Sequence, residues 1–193
     1  LINFDKEVSS ISLYEDSSIV FLKNFPFGTN SIYRDLIQLC SLGDEETRLI
    51  IKKLDLTENI SNQNKYIEKS LFIETEFKKL SVSHVKSIVQ ARVDEMLDYI
   101  FNKNKNLDYL KDKIIRVHLF FEDKDILDSL GKLFNESIKI DKNKTQIELL
   151  PLDDFSALSG AADLILKGWD KEAIPLSHRK KSIISSFFER FFY

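Results

Sequence analysis

Residues able to do covalent or metal chemistry are thinly spread along this 193-residue chain. Its three histidines, His84, His118 and His178, lie far apart. None has the Glu or Cys neighbour of a metal-ligand spacing such as H-E-x-x-H. No G-x-S-x-G elbow presents a nucleophilic serine. Phosphate cradles favour glycine, because a residue without Cβ lets backbone N–H groups close on the anion. The five glycines, at 28, 43, 131, 160 and 168, make neither a G-x-x-x-x-G-K-S/T loop nor a G-x-G-x-x-G turn. The acid pairs Glu45-Glu46, Asp123-Asp125 and Asp153-Asp154 open expected helices, where carboxylates offset the positive end of the dipole. No catalytic residue and no metal ligand set is predicted.

The chemistry the chain does offer is adhesive. Residues 183–193 read IISSFFERFFY. At about 100° per residue, Ile183, Ile184, Phe187, Phe188, Phe191 and Phe192 fill one half of a helical wheel. Ser182, Ser185, Ser186, Glu189 and Arg190 fill the other, and Arg179, Lys180 and Lys181 lead in. Such a helix suits an anionic membrane surface, with Lys180, Lys181 and Arg190 facing lipid headgroups and the apolar half facing the acyl boundary. The pattern also fits packing on the chain's own core, or in a partner's groove. One helix of this length binds membrane weakly, so stable attachment calls for several copies.

A second adhesive candidate is Arg92, with Glu95 one turn on. Arg92 faces away from the apolar stripe of its helix. It pairs either with a carboxylate of an acidic partner or along the helix with Glu95 or Asp98.

Composition sets the frame. With 43% hydrophobic and 31% charged residues, the chain is that of a folded protein. A net charge of −3 gives no basic field for nucleic acid. The single cysteine, Cys40, lies in an amphipathic helical pattern as a buried apolar residue, which fits a reducing cytoplasm. No apolar run approaches the ~18 residues of a membrane span. The chain begins at Leu1 and runs into an expected core strand, which suggests the C-terminal part of a longer protein.

Periodicity supplies the elements. Strands are expected at 1–4, 10–14 and 18–24, the last two joined as a hairpin. A helix over 31–42 turns Ile32, Leu36, Ile37, Leu39 and Cys40 inward, and a second runs over 43–54. Lys69–Leu80 alternates apolar and polar residues and predicts a strand. Ser83 is the expected cap of a long helix carrying Val85, Ile88, Val89, Val93, Met96, Leu97, Ile100 and Phe101 on one stripe. A strand at 114–121, a helix at 125–135, strands at 137–140 and 146–150 and a helix at 154–167 complete an α/β chain.

The order of these segments resembles the second half of an actin-like ATPase, in particular the bacterial cell-division FtsA family. The family's phosphate hairpin, L-I-D-I-G-x-x-x-T-x-I-x-L-Y, aligns without gaps with LINFDKEVSSISLY at 1–14. Its P-x-G-G-x-x-I-x-x-D-I motif is similar to Pro26–Leu36, and its I-x-x-A-R-x-x-E-x-x helix to Ile88–Leu97. Ser159-Gly160-Ala161-Ala162 is similar to its Gly-Ala helix, and residues 177–193 to its terminal membrane-targeting helix.

The resemblance implies an actin-like (ribonuclease H-like) half in which 1–42 and 99–169 form the large subdomain. Residues 43–98 would be a small inserted α/β subdomain, 170–182 a linker and 183–193 the amphipathic helix. It further implies an adaptor that binds the C-terminal tail of the tubulin-like protein FtsZ near the helix from Ser83 to Phe101, with Arg92 and Glu95 as contacts. That adaptor would self-associate into filaments on the cytoplasmic face of the bacterial inner membrane, at the division site. Asn3 stands where the family has an acid, Asp5 where it has glycine and Ser9 where it has threonine; Lys52 or Lys53 would supply its lysine. Phe120-Phe121-Glu122-Asp123 replaces its glycine loop. These substitutions describe a degenerate nucleotide site (Asn3, Asp5, Ser9, Lys52, Phe121) in a chain that is not an enzyme. ATP is the one cofactor left open, for the longer protein. The competing readings are half of an actin-fold ATPase or sugar kinase, and an actin-like scaffold of a pilus or secretion machine.

Overall fold

In a computed structural model of the chain, the structure describes residues 1–15, 18–57, 65–110, 115–122, 127–138 and 145–151. Five strands form one mixed sheet: β1 (Ile2–Phe4), β2 (Ser9–Glu15), β3 (Ser18–Phe25), β4 (Ile115–Phe121) and β5 (Thr145–Pro151). Their order across the sheet is β3-β2-β1-β4-β5. β1, β2 and β3 run antiparallel in sequence, whereas β4 is parallel to β1 and β5 parallel to β4. Three antiparallel strands followed by two parallel ones, in this order, is a ribonuclease H-like layout, and it defines the fold class.

The helices are α1 (Asn30–Cys40), α2 (Asp44–Lys53), α3 (Val82–Leu97) and the short α4 (Lys132–Ser137). α3 continues into a π-helical turn over Asp98–Asn102, and α4 grows out of another over Leu127–Gly131.

The core follows from alternation on the strands. Ile2 and Phe4 are buried while Asn3 between them is not. The parallel register sets Ile2 beside Leu119 and Phe4 beside Phe121. The Phe4 ring stacks on Phe121 at 5.1 Å and packs on Phe134 of α4 at 4.3 Å. Each such ring is worth roughly 1.5–3 kcal/mol of burial. α1 contributes Ile32, Tyr33, Leu36 and Cys40, α2 contributes Ile50 and Ile51, and α3 contributes the apolar stripe from Val82 to Leu97. All join one continuous cluster.

Four local expectations are corrected. Lys69–Leu80 is not a strand. It holds a 3-10 turn at Lys69–Leu71 and a single bridge between Tyr66 and Ser81. The amides of Glu74 and Thr75 that would have joined a ladder are instead bound by the side chain of Glu46. The cap of α3 is Ser81, whose hydroxyl accepts the His84 amide at 3.2 Å, and not Ser83. Leu39 is 66% exposed, and Tyr33 takes the inward place. These two residues sit about 60° to either side of Leu36 on the helix. Helix α2 packs against the Tyr33 side, with the Arg48 guanidinium 4.7 Å from that ring. Ser137 ends α4, and the Ile138 amide donates to Phe134 O, so 137–138 close a helix and start no strand. The expected helix at 154–167, the linker and the terminal helix lie outside the described residues.

Candidate functional site

The turn over Asp5–Val8 leaves the carboxyl end of β1, where β1 and the parallel β4 finish side by side. At β1 the sheet changes from antiparallel to parallel pairing. In open α/β sheets, ligands bind in the crevice outside the carboxyl ends of the parallel strands.

Here several backbone groups of the turn are already occupied. The Asp5 amide donates to Val8 O at 3.0 Å. The Asp5 carbonyl accepts the Thr29 amide at 2.9 Å and the Thr29 hydroxyl at 3.3 Å. The Lys6 carbonyl accepts the Asn30 amide at 2.9 Å. The amides leading into α1, which a free helix end would offer to an anion, are thus spent on the turn's own carbonyls. Gly28 allows the approach: a Cβ there would lie 2.4 Å from Asp5 O and 2.5 Å from Lys6 O.

The Lys6 amide donates to the Glu122 carboxylate at 3.1 Å, and the Lys6 ammonium lies 3.7 Å from its other oxygen. Glu122 follows β4 directly. A carboxylate of this chain therefore occupies the Lys6 amide. Asp5 is turned back onto β1, where its carboxylate accepts the Asn3 amide at 2.7 Å. The Ser9 hydroxyl is buried and donates to Phe27 O at 2.8 Å. At the outer end, Glu7 accepts Asn30 Nδ2 at 2.8 Å and pairs with Arg34. The Asn30 hydrogen bond, and then the Arg34 charge, hold its carboxyl below the ordinary range. Of the residues assigned to a degenerate nucleotide site, Asn3, Asp5 and Ser9 come together here. Phe121 lies fully buried in the aromatic core and lines no cleft. Lys52 is exposed on the last turn of α2.

Arg92 is engaged inside the chain. Its guanidinium forks onto Asp35 of α1, Nε to Oδ2 at 2.6 Å and Nη2 to Oδ1 at 2.8 Å. Its remaining nitrogen donates to Glu95 at 2.5 Å. The Asp35 hydrogen bond, aided by both carboxylate charges, pushes the guanidinium pKa further up. The Glu95 half of this arrangement is the intrahelical pair that spacing anticipated. Asp35 is the partner that spacing missed, and it ties α3 to α1.

A second polar centre was not anticipated. Glu46 is fully buried at the third position of α2. One carboxylate oxygen accepts the amides of Glu74 at 2.6 Å and Thr75 at 2.5 Å. The other accepts the Gly43 amide at 3.0 Å and the Thr75 hydroxyl at 2.9 Å. Burial alone would push this carboxyl up, but the four donors outweigh it and hold the pKa at about 2. Glu74 returns the contact by accepting the Glu45 amide at 3.0 Å. Lys78 caps α1 through the carbonyls of Cys40 and Ser41, at 2.8 and 2.5 Å. The irregular 72–80 segment is therefore pinned at both ends. It holds Ile73 and Phe77 out into solvent, with the Phe77 ring edge-on to Phe72 at 5.3 Å.

The described residues contain no cluster of three or more His, Cys, Asp or Glu side chains placed to hold a metal. They also contain no helix long and apolar enough to cross a membrane. Lys180, Lys181, Ile183, Ile184, Phe187, Phe188, Arg190, Phe191 and Phe192 lie outside the described residues.

No protein-family profile and no curated protein matches the chain. Among solved structures it is similar to the ethanolamine utilization protein EutJ from Carboxydothermus hydrogenoformans, with a TM-score of 0.47 and 13% identity. That match covers 76% of this chain and 42% of the other. It is also similar to component A of the (R)-2-hydroxyglutaryl-CoA dehydratase of Acidaminococcus fermentans, with a TM-score of 0.38 and 11% identity. There the coverage is 83% of this chain and 58% of the other. The chain therefore spans well under two thirds of either protein. The fold assignment rests on the strand order and directions above; function does not follow from these likenesses.

Proposed function

We propose that this chain is a binding module, an adaptor built on an actin-like half, and not half of a nucleotide-hydrolysing enzyme. The observation that carries the reading is the closed turn at the end of β1. Its Lys6 amide is held by Glu122, and its Asp5 and Lys6 carbonyls are held by the amides of Thr29 and Asn30. An incoming polyphosphate would meet like charge where it needs donors.

Following the resemblance to the FtsA family, the adaptor holds the C-terminal tail of FtsZ, self-associates, and reaches the cytoplasmic membrane through Ile183–Tyr193. The tail docks on residues 43–98. Ile73 and Phe77 offer it apolar anchors on a pinned segment, and the Arg92–Glu95 edge of α3 offers polar ones. Because Arg92 also joins α3 to α1, charge reversal at Arg92 would disturb the fold along with any partner. The cleaner probe is Phe77→Glu.

Two measurements test the proposal. Titration with an FtsZ-tail peptide should show binding that Phe77→Glu weakens at least tenfold; equal binding by the variant refutes the docking site. Sedimentation with anionic liposomes should be lost on deleting residues 183–193, or on replacing Phe187 and Phe191 by Glu. Each buried Phe is worth roughly 1.5–3 kcal/mol, so two charges suffice. Equal pelleting of the truncated chain refutes the membrane role. Lipid binding without tail binding would favour the scaffold reading instead.

A further inference from the structure

Among the described residues, β3 forms one edge of the sheet and pairs only with β2. The direction of its free backbone groups follows from its neighbours. Ser12 of β2 exchanges both hydrogen bonds with Leu1, its amide to Leu1 O at 2.9 Å and its carbonyl from the Leu1 amine at 2.8 Å. Ser12 therefore points its backbone groups away from β3. Its cross-strand partner is Leu22, so this is a non-hydrogen-bonded pair. The Leu22 N–H and C=O must then point outward, off the sheet edge. By the same alternation, so do those of Asn24, opposite Ser10.

Several side chains along this edge are apolar and exposed. Leu22 is 60% exposed and Ile19 59%, with Val20 and, on the neighbouring β2, Tyr14 also exposed. Natural edge strands are usually protected by charges, prolines or a covering element. The opposite edge, β5, carries Glu148 and ends in Pro151. β3 carries only one charge, Lys23, and that ammonium lies 5.1 Å from the Phe25 ring.

We infer that the β3 edge pairs with β3 of a second copy of this chain, antiparallel, about a two-fold axis at Leu22. In that register Leu22 faces its own copy and the two exchange both backbone hydrogen bonds. Val20 falls opposite Asn24, and Lys23 falls opposite Phe21, so no like charges meet. An axis at Lys23 would oppose two ammonium groups and is disfavoured. The irregularity between Leu13 and Tyr14, at Val20, limits the regular ladder to the few residues around Leu22. The contact is therefore a reversible one. A two-fold contact uses the same patch on both copies and closes after one step, so it gives dimers and cannot by itself build a filament. The inference stands apart from the adaptor reading, since it uses neither the FtsZ tail nor the membrane segment.

The test is analytical ultracentrifugation of the whole chain over a micromolar concentration range, with cysteine cross-linking. Directly opposed, hydrogen-bonded residues have Cα atoms about 5.5 Å apart, within the range a disulfide spans. Leu22→Cys should give a disulfide dimer on mild oxidation, reversed by thiol, while Asn24→Cys reacts much more slowly. Unsubstituted chain is the control, because its one cysteine, Cys40, is buried. Leu22→Lys, at an exposed position that leaves the fold intact by circular dichroism, should raise the dimer dissociation constant at least tenfold. The inference is overturned if the chain is monomeric throughout. It is equally overturned if Leu22→Lys dimerises like the parent and Leu22→Cys cross-links no faster than Asn24→Cys.

Discussion

Replacing Glu46 by Gln keeps the shape of a fully buried side chain and removes its charge. In the parent, one carboxylate oxygen takes two amides and the other takes the Gly43 amide and the Thr75 hydroxyl. The glutamine oxygen can serve one of these sets. Its NH2 group must face the other, so an N–H meets an N–H with no water to relieve it. Lowering a carboxyl from its ordinary 4.5 to about 2 corresponds to about 3 kcal/mol of folding stability. The sign follows from the direction. A depressed folded pKa stabilises fully above about pH 4.5, and that share is lost as the pH falls towards 2. Glu46→Gln should therefore unfold at about 2–3 kcal/mol less than the parent at pH 7, or about 5–10 °C lower in Tm. The gap should narrow steadily between pH 4.5 and the acid limit. Urea titrations of both proteins at pH 7, 5, 4 and 3 measure it. Amide exchange should show lost protection at Glu74 and Thr75. A gap that is the same at pH 3 and pH 7, or below about 0.5 kcal/mol at pH 7, would refute the reasoning.

Further outcomes follow from the same contacts. Asp35→Ala leaves Arg92 half-buried with one of its two partners gone and should cost about 1–2 kcal/mol in thermal unfolding. A double-mutant cycle with Arg92→Ala should return most of that as coupling, and near-additivity would count against the α1–α3 tie. Gly28→Ala places a methyl 2.4 Å from Asp5 O and should destabilise by about 2 kcal/mol or more, read by chemical denaturation. Glu122→Ala frees the Lys6 amide, so its NMR resonance should move and begin to respond to millimolar inorganic phosphate, to which the parent is silent. Phe134→Ala opens a cavity beneath Phe4 and Phe121 and should cost about 3–5 kcal/mol.

Local period was enough to find most of the scaffold. Strands β1 to β4 come within a residue or two of their expected limits, because alternation is strong where one face is buried, as in Ile2-Asn3-Phe4. The stripe from Val85 to Ile100 is buried as its spacing requires. Leu39 shows the limit of that reasoning. Its spacing is as good as that of Tyr33, and only the side on which α2 packs decides between them. The 69–80 segment shows another limit. Its Leu71, Ile73, Thr75 and Phe77 alternate like a strand, but alternation cannot say whether a neighbouring strand exists to take the amides.

The site was less legible, because its groups meet across long stretches of chain. Arg92 and Asp35 are 57 residues apart, and Lys6 and Glu122 are 116 apart. No local pattern marks such a pair. Topology, however, does constrain one of them. Once β1 and β4 are parallel neighbours ending together at Phe4 and Phe121, the residue just after β4 must lie beside the turn that follows β1. Glu122 is that residue, and Lys6 stands in that turn. The substitution of Asp5 for the family's glycine pointed to charge at the turn, and the contact it makes there is the hydrogen bond back to Asn3. For Glu46 a local clue existed: a glutamate three residues after Gly43, at a helix start, is half of a capping box and reaches back to that amide. What sequence could not show is that the same carboxylate also gathers Glu74 and Thr75. One acid thereby pins an apparent strand as a loop and leaves Ile73 and Phe77 exposed.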